Sequence, residues 1–197
     1  MNFEATYILE DERAMLRPIA LADYDLLKEF AVKEPDLWTY SLVPAGSESL
    51  MQAYLQTALR ERQEEKTYAF LVFDKKYQQY AGSTRFYDIQ VAQKALQLGY
   101  TWYGKAFQGT GLNKHCKYLL LQFAFETLEM ERVEFRADND NKRSIAAMKS
   151  IGCTVEGILR SNTFKSDGSR RDSIILSILK SEWRSHVNAL LQQKLTL

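Results

Sequence analysis

The sequence GKAFQGTGLN at residues 104–113 carries the residue types best suited to binding an anion. It lies between a run of strand-forming residues and an apolar pattern of helical period. Gly109 and Gly111 have no Cβ, so the main chain there can adopt left-handed dihedral angles and approach an anion closely. Unpaired N–H groups and the positive end of the helix dipole favour negative charge at the same point. The spacing predicts a phosphate-binding loop, with a plain turn before a helix as the alternative.

Two common phosphate loops do not fit this segment. GTGLNK lacks the Lys-Ser/Thr ending of a P-loop, and it lacks the third glycine and the downstream acidic residue of a dinucleotide fingerprint. Nearby, His115 has no second histidine beside it, so no metal site is predicted. Cys116 and Cys153 are too few for a disulfide framework, and we interpret both as core residues.

The composition excludes several classes of protein. The chain has 197 residues, of which 46% are hydrophobic, enough for one domain with its own core. Its 26 Lys and Arg balance 25 Asp and Glu, so we expect neither nucleic acid nor an acidic membrane as a partner. The N-terminus does not have the pattern of a signal peptide, and no apolar run is long enough to span a bilayer. We therefore expect a cytoplasmic protein.

Changes in hydrophobic period define the elements around the loop. A strand is predicted at 95–103, a helix from the glycines to about 128, a strand at 132–138 and a short helix closed by Gly152. The other predicted elements are a strand at 14–19, helices at 21–32 and 47–65, hairpins of 67–74 with 79–89 and of 153–164 with 169–179, and a C-terminal helix at about 181–195. This order predicts one α+β domain over residues 1–197, with a core at about 15–183.

The same motifs resemble the GNAT superfamily of N-acetyltransferases, in the branch similar to RimJ and RimL. The superfamily's pyrophosphate loop is Gln/Arg-x-x-Gly-x-Gly/Ala, and Gln108, Gly111 and Asn113 fall on its fixed positions. Asn113 departs from the general pattern but matches a subgroup that reads GTG-x-N. The segments LGYTWY, LLLQFAFE, RVEFRADNDNKRS and GILR…DGSRRD…SIL follow in the branch's order, so the resemblance covers nearly the whole chain.

The resemblance implies a fold and a cofactor. The fold is a single-domain GNAT fold, whose mostly antiparallel mixed sheet has about seven strands, two of them parallel, central and splayed (96–103 and 132–138). Acetyl-CoA would lie in this opening, and the main chain of residues 100–102 would hold its pantetheine as an added strand does. The residues implied to bind the cofactor are Tyr100, Thr101, Trp102, Gln108, Gly109, Thr110, Gly111, Leu112, Asn113, Asn141 and Ser144. No metal is implied.

The implied reaction is direct attack of an amine on the thioester, with no covalent enzyme intermediate. An α-amine of pKa near ~8 is partly neutral at cellular pH, whereas a lysine near ~10.4 needs more assistance. A protein N-terminus is the acceptor favoured by the resemblance, and a polyamine, an amino acid or an aminoglycoside is the alternative. A catalytically weak acyl-CoA-binding module is a further alternative. The protein would be a monomer or a homodimer.

The implied catalytic residues depart partly from the family pattern. The tyrosine that protonates the thiolate in many members is replaced by Met148, so Ser144 of the N-x-x-S motif becomes the candidate general acid. Backbone capping is the alternative role of that serine. Gln97 and Thr163 stand where relatives carry glutamate. Glu134 is therefore the candidate base, with Asp88, Asp138 and a water relay as alternatives.

Some further side chains have two interpretations each. Cys116 is placed to form a mixed disulfide with coenzyme A if it is not in the core. The cations beside the loop would frame the adenosine phosphate or stay solvated, and the aromatic residues before the first hairpin would line the acceptor side or the core. The cations are Lys114, Lys117, Lys142 and Arg143. The aromatic residues are Trp38, Tyr40 and Tyr54.

Overall fold

An eight-stranded sheet organises the computed structural model, which describes residues 1–195. The strands are β1 (Leu9–Glu10), β2 (Ala14–Pro18), β3 (Tyr68–Asp74), β4 (Gln79–Gln90), β5 (Ala95–Tyr103), β6 (Arg132–Asp138), β7 (Thr154–Phe164) and β8 (Arg170–Leu179). Their spatial order is β1-β2-β3-β4-β5-β6-β8-β7. Every neighbouring pair is antiparallel except β5 with β6, which confirms the mixed sheet. The strand absent from the prediction is β1, whose two residues are too short to show a period.

Helices cover both faces of the sheet. They are α1 (Tyr24–Lys33), α2 (Glu48–Gln63), α3 (Leu112–Gln122), α4 (Lys142–Ser150), α5 (Lys180–Glu182) and α6 (Asn188–Leu195). Helix α3 continues into a π-helical turn, and another such turn joins α5 to α6. Ser47 caps α2 by accepting a hydrogen bond from the Leu50 N–H, as its sequence position predicts. Among the described residues, no helix is both long enough and apolar enough to cross a membrane.

The alternation of side chains along the strands separates two apolar layers. On one face, Leu98 of β5 and Phe135 of β6 belong to a cluster that also contains buried residues of α3, α4 and α6. On the other face, Leu71 and Trp102 pack in a smaller cluster with residues of α1 and α2. The sheet thus separates the α3 side of the molecule from the α2 side.

Strands β5 and β6 separate soon after they pair. Their parallel register covers only Ala95, Leu96 and Gln97 opposite Arg132, Val133 and Glu134, yet β5 runs on to Tyr103 and β6 to Asp138. The predicted splay is therefore present. It leaves the β5 main-chain groups that face the opening without a partner strand.

A bulge in β5 lies at the start of this opening. Tyr100 and Thr101 together oppose the single residue Thr84, between the register pairs Arg85↔Gly99 and Ser83↔Trp102. Tyr100 has a φ of +50°, the left-handed conformation that relieves the extra residue. The bulge thus interrupts the regular ladder between β4 and β5 beside the gap.

Candidate active site

The predicted anion loop has the required backbone geometry. Gly109 and Gly111 have φ values of +74° and +91°, and a Cβ built on either would meet nothing within 4 Å. The glycines are therefore needed for backbone conformation, and they keep the space above the loop open. Helix α3 begins at Leu112 with no side-chain cap. Within the described chain, the N–H groups of Gly111, Leu112 and Asn113 donate to no protein acceptor, so they form an anion-binding end.

Three side chains, two of the loop itself and one of α4, hold this loop in place. Gln108 Nε2 donates to the Tyr103 carbonyl at 2.8 Å, and Gln108 Oε1 accepts from Arg143. Thr110 Oγ1 donates to the Phe107 carbonyl at 2.8 Å. The role of Gln108 is thus to fix the loop to the end of β5, and Arg143 ties the same side chain to α4.

Arg13 is a residue of this region that sequence reasoning missed. Its guanidinium binds both oxygens of the buried Asp74 carboxylate at 2.9 Å and lies 3.5 Å from Thr110 Oγ1. The Asp74 carboxylate balances the charge of this guanidinium and fixes it beside the loop. No local pattern could reveal it, because about a hundred residues separate it from the loop and the contact depends on how β2 and β3 pair.

The rings of Tyr100 in the bulge and of Trp102 beside it point toward the α2 side. The Tyr100 ring meets the Tyr87 ring edge to face at 5.0 Å, and the Arg85 guanidinium lies over it at 4.3 Å. Trp102 packs against Trp38 at 5.3 Å. Because these rings are held on one face, β5 offers its main-chain groups and the Thr101 hydroxyl, which accepts from Lys117 of α3, to the opening.

The N-terminus of α4 borders the same opening from the β6 side. Asn141 Oδ1 accepts the Ser144 N–H at 3.0 Å and so caps the helix. The capping role considered for Ser144 is therefore filled by Asn141. The Ser144 hydroxyl is half-buried and makes no hydrogen bond to the described residues, which leaves it available to a ligand.

Among the four cations considered for the adenosine phosphate, one is placed differently from the rest. Lys142 and Arg143 are exposed and Lys114 is half-buried, whereas Lys117 is only 5% exposed. A solvated role for Lys117 is thus wrong. The run of three leucines at 119–121 was the available signal, because it widens the buried arc of α3 to include position 117.

The candidate bases are all engaged by other groups. Glu134 accepts from Arg132 at 2.8 Å and from Arg136 at 2.7 Å, so its carboxylate is held by two cations. Asp88 accepts from Gln97 Nε2 at 2.7 Å. Asp138 lies 3.5 Å from Lys165 Nζ and accepts the Asp140 N–H. Each of the three carboxylates is therefore bound by another group, and none of them is free in the opening.

The remaining side chains that could carry chemistry contribute to core packing or to contacts between segments. Burial raises the pKa of both Cys116 and Cys153 to about 12, so both thiols stay protonated and the core interpretation is supported. His115 Nδ1 lies 2.8 Å from Asp11 Oδ2. Together with Glu12 these two residues place three potential ligand atoms within 4.8 Å of one another. The contact joins the turn before β2 to α3.

A family comparison agrees with this geometry. Residues 13–154 match the model of the acetyltransferase (GNAT) domain, and this match spans the loop, the splayed strands and α4. The chain belongs to the GNAT acetyltransferase family. Proteins of this family use acetyl-CoA as a cosubstrate.

Individual relatives of this chain are also named as acetyltransferases. A Bacillus subtilis (strain 168) protein named as a candidate ribosomal N-acetyltransferase, YdaF, is 37% identical over 94 residues, which is 48% of this chain and 50% of that protein. A solved structure described as a candidate acetyltransferase from T. thermophilus is 32% identical, with a TM-score of 0.84 and coverage of 95% and 96% of the two chains. RimL, the ribosomal L7/L12 α-N-protein acetyltransferase solved with coenzyme A, shares the fold at 19% identity, with a TM-score of 0.78 and coverage of 89% and 99%.

Proposed function

We propose that this protein transfers the acetyl group of acetyl-CoA to the α-amine at the N-terminus of a protein, by direct attack and in the cytoplasm. The observation that carries the proposal is the set of unpaired amides at Gly111, Leu112 and Asn113, which follow the strand that carries the bulge at Tyr100. The loop would bind the pyrophosphate, and the unpaired edge of β5 would bind the pantetheine as an added strand. The thioester would then lie beside the bulge.

An acidic cavity on the α2 side supports an amine as the acceptor. It has a volume of about 370 Å³, and its lining includes three carboxylates, the single ammonium of Lys66 and two rings: Glu61, Glu65, Asp88, Lys66, Tyr87 and Tyr100. Carboxylates at the mouth of a cavity attract a cationic amine, and rings close to the bulge suit an extended chain. The acceptor would enter from this face, opposite α3.

The choice of an N-terminal amine rests on relatives and on proton chemistry. YdaF and RimL are both named for ribosomal acetylation. An α-amine with a pKa of about 8 reaches its neutral form without a strong base. Because arginines hold Glu134 on two sides, we place no base role there, and water relayed by Asp88 and Gln97 suffices to remove the proton.

A pair of matched peptides tests the acceptor class. One has a free α-amine and no lysine, and the other has a blocked α-amine and one internal lysine. We expect mass spectrometry to find acetylation of the first peptide at a rate at least about 10-fold above the second. Preferential acetylation of the lysine peptide, or of spermidine in a parallel reaction, would assign another acceptor class while leaving acetyl transfer intact.

The free hydroxyl of Ser144 gives a second prediction. A hydrogen bond to a charged group contributes about 1.5–3 kcal/mol, so Ser144→Ala should lower kcat about 10- to 100-fold if the hydroxyl donates to the departing thiolate. The KM for acetyl-CoA should change little. Ser150→Ala is the control on the same helix, because that hydroxyl donates to the Ala147 carbonyl away from the opening. Steady-state turnover of Ser144→Ala within twofold of wild type would remove Ser144 from the reaction.

A further inference from the structure

Lys117 is a buried cation without a counterion. Its side chain projects from α3 toward the sheet, where Nζ donates to Thr101 Oγ1 at 3.0 Å, and the residue is only 5% exposed. Among the described residues, no carboxylate forms an ion pair with it. An ammonium has three donors, and burying one with two of them unused is costly. Such an arrangement points to a partner that arrives with a ligand.

The groups that the structure places beside Nζ are neutral. They are Thr84 of β4, which shares a hydrogen bond with Thr101 of β5 at 2.7 Å, the Phe135 ring of β6 at 5.6 Å, and the thiols of Cys116 and Cys153. Burial raises the pKa of both thiols to about 12, so neither supplies a negative charge. None of these neighbouring groups compensates the positive charge of Lys117.

The position of Nζ matches the opening between the splayed strands. Thr101 belongs to the bulge of β5, whereas Phe135 is the first residue of β6 beyond the paired region. Lys117 thus lies between the two strands at the point where they separate. It is also five residues into α3 from Leu112, roughly 8 Å along the helix from the loop amides at about 1.5 Å per residue.

We propose that Lys117 contacts the acyl-CoA in this opening and stabilises the thiolate that leaves during acetyl transfer. The inference rests on the proposed function. The amine nitrogen attacks the thioester carbon, a C–N bond forms, and the C–S bond breaks with its electron pair on sulfur. The Lys117 ammonium gives a proton to that sulfur, so coenzyme A leaves as a thiol. The neutral lysine then recovers the proton that the acceptor amine loses to water.

The Lys117 ammonium is a better acid than a hydroxyl for protonating the departing thiolate. Burial lowers the pKa of its ammonium from about 10.5 to about 8, so most of it is protonated at pH 7 yet gives up its proton readily. Ser144 can donate a hydrogen bond to the sulfur, but its hydroxyl is too weak an acid to lose the proton. The two side chains therefore have separate roles, with Lys117 providing the charge and the proton.

Lys117→Met tests the proposal, because methionine has a similar length and no charge. We expect acetyl-CoA affinity, measured by calorimetry, to stay within about threefold, and kcat to fall about 100-fold, as is usual on loss of a general acid. In wild type, kcat should decline above about pH 8 as Lys117 loses its proton, and the variant should lack this alkaline limb. The melting temperature should be unchanged or higher, because a buried charge has been removed. The exposed Lys149→Met on α4 is the control.

The possible outcomes distinguish failure of this proposal from failure of the proposed function. A wild-type protein that neither binds acetyl-CoA nor releases coenzyme A overturns both. An active wild type with Lys117→Met of equal kcat, or with the alkaline limb intact, overturns only the role of Lys117. Lys117→Gln repeats the measurement with a neutral polar side chain. If both variants lose their fold, Lys117 has a structural role and the proposal is wrong.

Discussion

Gly111→Asp should raise the Kd for acetyl-CoA at least about 100-fold, which corresponds to ~2.8 kcal/mol at about 1.4 kcal/mol per tenfold. The new carboxylate would stand where the N–H groups of Gly111, Leu112 and Asn113 converge, and it would repel the pyrophosphate. A Cβ at this glycine meets no atom within 4 Å, so the loss comes from charge and not from a clash. Calorimetric titration with acetyl-CoA measures the change.

Gly168→Asp is the matched control for that substitution. Gly168 lies in the turn between β7 and β8 with a φ of +83°, close to the +91° of Gly111, and a Cβ there also meets nothing within 4 Å. The two variants should lose similar stability, because each places a side chain in the left-handed region. Only Gly111→Asp should lose the cosubstrate. Equal affinity in both variants would remove the loop from the binding site.

Gly82→Ala should have the largest effect on stability, about 3 kcal/mol or more. A Cβ at Gly82 of β4 would lie 2.0 Å from the Trp102 carbonyl oxygen and 2.9 Å from the Tyr103 Cα. Both atoms belong to the backbone of β5, so the strand that forms one wall of the opening would have to move. We expect the melting temperature to fall by about 6–12 °C for a chain of this size, together with weaker acetyl-CoA binding.

Gly157→Ala in β7 is the control for this prediction. It distinguishes the effect of the close approach at Gly82 from a general effect of replacing glycine in a strand. A Cβ at Gly157 has no neighbour within 4 Å, so its free energy of unfolding should stay within about 0.5 kcal/mol of wild type. Thermal denaturation of the two variants provides the comparison. A Gly82→Ala protein as stable as Gly157→Ala would show that β4 and β5 are not so closely apposed.

Local patterns were sufficient for the elements that surround the site. The β-formers of residues 95–103 predict β5 with its observed bounds, and the glycines followed by a 3.6-residue period predict where α3 begins. The splay followed from the resemblance, since only the family's fold relates β5 to β6. These features have strong signals because a strand, a helix start and a glycine loop each impose residue types over a short stretch.

Contacts between distant segments could not be predicted in the same way. Tyr100 carries the left-handed bulge although tyrosine gives no signal for such a conformation. The arginines that flank Glu134 were visible in the sequence, but whether they bind it or leave it free depends on side-chain geometry. The short strand β1 exists only because β2 lies beside it. Tertiary packing decides each of these.

The most direct measurement of the proposed activity is coenzyme A release from acetyl-CoA in the presence of a peptide with a free α-amine. Thiol appearance and N-acetyl-peptide formation are followed in the same reaction, with an α-blocked, lysine-free copy of the peptide as the control. We predict release of one thiol per acetylated peptide with the free amine, and only background release with the blocked one. Tight acetyl-CoA binding without thiol release from this peptide, or from any amine in a panel, would contradict acetyl transfer and leave a protein that only binds acyl-CoA.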